Sequence, residues 1–102
     1  MLVMVMSTAS AWAAEELPVY QLVVRDGAFE PATLEVPAGK RFKLEIINAG
    51  KGPMEFESRE LRVEKVLTGG AKSYVVINGL KPGRYAFFDD FHPDSKGEIV
   101  AR

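Results

Sequence analysis

From Val19 onward, apolar and polar residues alternate with a period of two, in short runs bounded by Gly, Pro and Asn. Successive side chains of an extended strand point to opposite faces, so this period predicts half-buried strands and leaves no room for a long amphipathic helix. Tyr20, Leu22 and Val24 fall on one face of a first strand. Thr33 to Val36 forms a short second one, closed by Pro37-Ala38-Gly39-Lys40, where Pro sets φ and Gly accepts a positive φ. In the next run Phe42, Leu44 and Ile46 point inward while Arg41, Lys43 and Glu45 point out. Further strands are expected over Met54 to Glu57, Arg62 to Leu67, Ser73 to Ile77, Tyr85 to Asp89 and Gly97 to Ala101. Ser58-Arg59-Glu60-Leu61 has room for one helical turn at most. Seven or eight short strands, with turn signals roughly every 8 to 12 residues, predict an all-β sandwich in one domain spanning 19–102.

Length agrees, since 102 residues build one core and are too few for two. The 13 Lys and Arg are scattered among 14 Asp and Glu, so no basic stripe marks a nucleic acid or an anionic membrane surface as partner. The N-terminus differs from the rest. Residues 1–14 form an apolar run closing on small residues, with Ala11-Trp12-Ala13 in the small-x-small pattern of a signal-peptidase site. A removed signal peptide over residues 1–13 is therefore expected, and with it a soluble, periplasmic protein. The run is too short to span a bilayer, which takes about 20 apolar residues. It also lacks the basic start of a complete signal, the first basic residue being Arg25. An exported chain is free to form disulfides, yet there is no cysteine, so the core alone must hold the fold.

The chemistry concentrates in Pro82 to His92, where a turn feeds an aromatic strand ending in Asp89, Asp90 and the single histidine, His92. Oxygen and imidazole donors at a rigid strand end suit a transition metal, and the missing thiol removes soft thiolate chemistry. A second acidic run, Met54-Glu55-Phe56-Glu57, follows the loop Asn48 to Pro53. In a strand, Glu55 and Glu57 share one face and Met54 and Phe56 the other. Either the glutamates face the site and Met54 fills the core, or Met54 faces it as a soft ligand favouring copper; the two registers exclude each other. Asp89 and Asp90, being adjacent, go to opposite faces, so only one of them is a direct ligand of an extended chain. The plain reading of these acids is a solvated face, and of His92 a surface or packing residue. A hydrolase triad has no support, because Ser58, Ser73 and Ser95 share one histidine and no Gly-x-Ser-x-Gly elbow occurs. The glycines sit in turns and make no phosphate loop.

Thr33-Leu34-Glu35-Val36-Pro37-Ala38-Gly39, Ile47-Asn48-Ala49-Gly50 with Pro53, and Leu80-Lys81-Pro82-Gly83-Arg84-Tyr85-Ala86-Phe87-Phe88 are similar in order and spacing to the cupredoxins. That resemblance covers the chain after Val19 and implies a Greek-key β-sandwich. By motif it places Asp89 at the family's cysteine, His92 at its second histidine and Met54 or Glu55 at its first, and it finds no methionine after His92. A blue-copper site needs the soft thiolate, so the resemblance implies a harder site of Glu55, Glu57, Asp90 and His92, with Asp89 or Met54 as further candidates. Glu55-Phe56-Glu57-Ser58, Glu64-Lys65-Val66 and Phe87 to His92 also resemble the periplasmic cupredoxin-like proteins that accompany bacterial high-affinity ferrous iron permeases. This narrower resemblance implies iron as cargo or copper in support of its oxidation, with ferroxidase-type activity as one outcome. The implied partners are an inner-membrane iron permease and a periplasmic iron-binding protein. Protons compete for imidazole and carboxylate, so metal binding is expected to weaken below about pH 6. The alternative is a metal-free module that docks a partner protein through its acidic loops.

Overall fold

A computed structural model describes residues 16–102. The predicted signal segment over residues 1–13 lies outside them. The described chain is all-β, with nine strands: β1 (Val19–Arg25), β2 (Ala28–Glu30), β3 (Thr33–Val36), β4 (Phe42–Asn48), β5 (Met54–Ser58), β6 (Val63–Leu67), β7 (Lys72–Ile77), β8 (Gly83–Asp89) and β9 (His92–Ala101). They form a four-stranded sheet in the order β2-β1-β4-β7 and a five-stranded sheet in the order β3-β9-β8-β5-β6. β1 runs parallel to β4 and β3 parallel to β9, while all other neighbours are antiparallel. The predicted all-β sandwich is correct in class.

Alternation explains the core. Leu22 and Val24 of β1, Phe42, Leu44 and Ile46 of β4, Met54 and Phe56 of β5, Phe87 of β8 and Ile99 of β9 are all buried in one cluster between the sheets. Phe87 is the junction, its ring lying 4.8 Å from Phe29 and 5.2 Å from Phe56 between centroids. Opposite Phe87 across the β8–β9 pair stands Gly97. A Cβ there would meet Phe87 Cε1 at 2.4 Å, so the absent side chain is what admits the ring.

Four expectations need correction. The three-residue strand β2 was not predicted; Asp26 and Gly27 take positive φ, 49° and 86°, and fold the chain into a hairpin that pairs Val23 with Glu30. The last strand was expected from Gly97, but β9 already begins at His92, which pairs with Asp89 at the end of β8. Glu45 was expected to point to solvent, yet it is buried, and hydrogen bonding to Tyr74 and then to Gln21, whose Nε2 donates to its Oε1 at 2.7 Å, holds the carboxyl below the usual carboxylate range. Residues 59–62 make a turn and no helix, with Arg62 at positive φ and Ser58 Oγ accepting from Leu61 N.

Candidate metal centre

β5 resolves the choice of register left open by the sequence. Met54 is 1% exposed and packs in the core, so it is a filler. Glu55 and Glu57 therefore stand on the outer face of the five-stranded sheet. The antiparallel β5–β6 pairing sets Glu57 directly opposite Glu64. Oxygens from Glu55, Glu57 and Glu64 lie within 4.8 Å of one another, the one group of three potential ligands found among the described residues. Glu64 belongs to the resemblance quoted above but not to the predicted ligand set. Its signal was the hairpin register, which cannot be counted without knowing where the 59–62 turn ends.

Three carboxylates this close repel one another. Partial burial, a hydrogen bond to the Glu64 side chain and the negative charges of Glu64, Asp90 and Glu57 push Glu55 up to about 7. Arg59 stands as a cation at the rim, its Nε 3.9 Å from Glu57 and its guanidinium over the Phe88 ring. Asp90 is exposed, and its backbone N–H donates to Glu55 O at 2.9 Å, which seats it beside the cluster.

Asp89 and His92 are on the other side of this sheet. Asp89 is fully buried and pairs across β5 with inward-facing Phe56. Its Oδ1 accepts from Glu55 N at 2.9 Å and Phe91 N at 3.0 Å, and its Oδ2 meets His92 Nδ1 at 2.7 Å. Ser95 bridges the main chain of the same residue, accepting from Asp89 N and donating to Asp89 O. His92 keeps 40% of its side chain exposed, at a cleft of about 400 Å³ lined by Asp26, Gly27, Phe91, Pro93 and Asp94 among others. The six predicted residues thus separate into an outer cluster (Glu55, Glu57, with Asp90 at its edge), an inner pair (Asp89, His92) and a core residue (Met54).

Asn48 is a further residue whose role the sequence reading missed. It is buried, donates from Nδ2 to the carbonyls of Gly52, Leu67 and Thr68, and accepts from Gly50 N. It ties the β4–β5 loop to the end of β6 and so fixes where β5 begins. The Asn-x-Gly spacing was visible, but the partners in β6 are remote in sequence.

The model of the cupredoxin-like domain matches residues 1–101. The chain belongs to the cupredoxin-like family. An uncharacterized protein of Rickettsia prowazekii (strain Madrid E) is 36% identical over 81 residues, which is 78% of this chain and 65% of that protein's own length. Among solved structures, a purple cupredoxin from Nitrosopumilus maritimus is similar with a TM-score of 0.62 and 18% identity, covering 80% of this chain and 98% of that one. The Cu(I)-bound metal-binding domain of a Cu(I)-exporting P-type ATPase of Streptococcus pneumoniae gives a TM-score of 0.69 at 15% identity, covering 82% of this chain and 84% of that one. Auracyanin B gives 0.69 at 15% identity, covering 87% and 93%. At these identities the structural likenesses speak for the fold alone. This cupredoxin-like domain does not fit a thiolate copper centre: it has no cysteine, its Met54 thioether is in the core, and both Asp89 oxygens and His92 Nδ1 are engaged with partners inside the protein.

Proposed function

We propose that this cupredoxin-like domain is an exported metal-binding protein that takes a hard or borderline divalent cation on its outer sheet face, with iron as the cargo and copper as the competitor. The carrying observation is the convergence of Glu55, Glu57 and Glu64 within 4.8 Å, with Asp90 adding charge at the edge. Three carboxylates suit Fe, Mn or Cu(II) better than Cu(I), which prefers thiolate and thioether donors. Partial burial first, and then the charges of Glu64, Asp90 and Glu57, raise Glu55; a cation between the carboxylates offsets the repulsive part of this. An oxygen-rich site also favours Fe(III) over Fe(II). Turnover as a ferroxidase needs an electron acceptor, so binding and handover are the reading favoured here, with an inner-membrane iron permease and a periplasmic iron-binding protein as the proposed recipients. The periplasmic placement rests on the small-x-small site at Ala11-Trp12-Ala13. Among the described residues no helix is long and apolar enough to cross a membrane.

Calorimetry of the mature chain with Fe(II) under anaerobic conditions, Mn(II), Zn(II) and Cu(II) tests the reading. The expectation is one site tighter than about 10 μM, roughly 7 kcal/mol, weakened at least about tenfold by Glu55→Gln or Glu64→Gln. No metal below that threshold, or variants indistinguishable from wild type, refutes it. The second reading, a metal-free docking module, draws on the exposed Val66 beside these carboxylates and on Phe91, 47% exposed, on the turn beyond Asp90. It predicts that Val66→Ser and Phe91→Ser abolish partner capture while the glutamate variants leave it intact.

A further inference from the structure

We infer that the end of the sandwich where a cupredoxin would place its metal is closed in this chain by a metal-free lock, in which Asp89 and His92 bind each other and hold the entry of β5. Four observations carry it. Asp89 is fully buried, yet both of its oxygens are satisfied from inside the protein: Oδ1 by the N–H groups of Glu55 and Phe91, Oδ2 by His92 Nδ1. A buried carboxylate with that many donors is complete, and adding a cation would require breaking bonds that already offset its desolvation. No buried side-chain nitrogen or oxygen among the described residues lacks a partner, so no buried donor or acceptor at this end is left over for a ligand.

The second observation is the reach of the lock. Through Asp89 it ties the start of β5, at Glu55, to the β8–β9 turn, at the adjacent residues Phe91 and His92. The return bond from Asp90 N to Glu55 O clamps the Glu55 peptide on its other side. Third, Ser95 binds both main-chain groups of Asp89, which keeps the carboxylate aimed inward at the register shift between Phe87 and Asp89. Fourth, the β1–β2 turn is shaped to the histidine. A Cβ on Gly27 would stand 2.9 Å from His92 Cβ and 3.1 Å from its Cγ, so the glycine lets the turn close over the imidazole. The imidazole is thus fixed between Gly27 and Asp89, with its Nδ1 turned inward to the carboxylate. A carboxylate that orients an imidazole is ordinarily the outer partner of a metal ligand; here the same carboxylate is itself the buried hub, and the pair replaces the metal as the tie between strands.

This inference is independent of any cation at Glu55, Glu57 and Glu64. Its test uses the isotope-labelled full chain and three variants. Asparagine offers an N–H at the place of Nδ1 but has no Nε2, so His92→Asn keeps the tie to Asp89 and removes the outer ring nitrogen. His92→Ala removes both, and Asp89→Asn keeps one acceptor. Amide hydrogen exchange at Glu55, measured relative to Phe56 so that global destabilisation cancels, is expected to be unchanged in His92→Asn and to speed up at least about tenfold in His92→Ala. Exchange at Glu55 and Phe91 should rise less in Asp89→Asn, a variant retained in case the alanine fails to fold. One equivalent of Zn(II) is expected to leave the His92 Nδ1 proton in place and to bind His92→Asn as it binds the wild type. Loss of the Nδ1 proton on adding Zn(II), a Zn(II) affinity more than about threefold weaker in His92→Asn, or a Glu55 amide equally protected in His92→Ala and wild type overturns the lock. If the wild type binds no Zn(II), the carboxylate reading loses support while the exchange data still decide this one.

Discussion

Glu55 makes a quantitative prediction about protons. Its carboxyl is raised to about 7 by partial burial, by the hydrogen bond to Glu64 and by the charges of Glu64, Asp90 and Glu57. A metal requires the carboxylate form, so it must displace whatever proton Glu55 holds. With a pKa of about 7, Glu55 is roughly 90% protonated at pH 6 and roughly 10% protonated at pH 8. Binding should therefore release about 0.9 proton at pH 6 and about 0.1 at pH 8, and affinity should fall by up to about tenfold per pH unit below 7. Calorimetric titration with Mn(II) in pairs of buffers that differ in ionisation enthalpy reads the released proton directly. Glu55→Gln should abolish the difference between the two pH values while leaving a weaker site. Equal proton release at pH 6 and pH 8, or the same release from Glu55→Gln, would show that the carboxylate cluster is not where the metal sits.

Other expectations concern the scaffold. Without metal, Glu55 binds more protons folded than unfolded between pH 4.5 and about 7, so thermal stability should decline as pH rises through that window; Glu55→Gln should flatten the decline in a melting-temperature series. Gly97→Ala drives a Cβ to 2.4 Å from Phe87 Cε1, and the ring is backed by Phe29 and Phe56, so about 1–3 kcal/mol of overpacking is expected. At about 4–8 °C per kcal/mol for a domain of this size, calorimetric melting should register a drop of at least several degrees, and Phe87→Leu in the same chain should recover part of it. Asn48→Ala strips the partners from three carbonyls and one N–H, and should cost about 2–3 kcal/mol in urea unfolding without changing the slope.

The sandwich was legible because each strand buries one face. Alternation at Tyr20, Leu22 and Val24, or at Phe42, Leu44 and Ile46, is a local pattern, and the burial of the five aliphatic and phenylalanine side chains, with Tyr20 half-buried beside them, follows from it. What escaped were features set by pairs remote in sequence. β2 is only three residues long and exists because Asp26 and Gly27 both take positive φ. Glu45 obeys the alternation and does face away from the core, but Gln21 from a parallel neighbour and Tyr74 from an antiparallel one cover it. No count along β4 contains either partner.

The candidate site divides along the same line. That Glu55 and Glu57 share a face, and that Asp89 and Asp90 do not, follows from the strand period alone. Which glutamate completes the outer cluster depends on register: one residue more in the 59–62 turn would move Glu64 to the opposite face and leave two carboxylates where there are three. The inner pair depends on something subtler. Asp89 and His92 are three residues apart, a spacing as natural for two ligands of one ion as for two groups that bind each other. What separates the alternatives is the supply of other donors: with the N–H groups of Glu55 and Phe91 both aimed at the same carboxylate, the position asks for negative charge and receives it from Asp89. A thiolate at this position would attract the same N–H groups and leave charge for a soft cation; an aspartate reaches further and closes on the imidazole itself. The substitution of carboxylate for thiol therefore does more than harden the site. It turns the inner end of the domain into structure and leaves the outer face of β5 and β6 as the place where unbalanced negative charge, and with it any affinity for a cation, is concentrated.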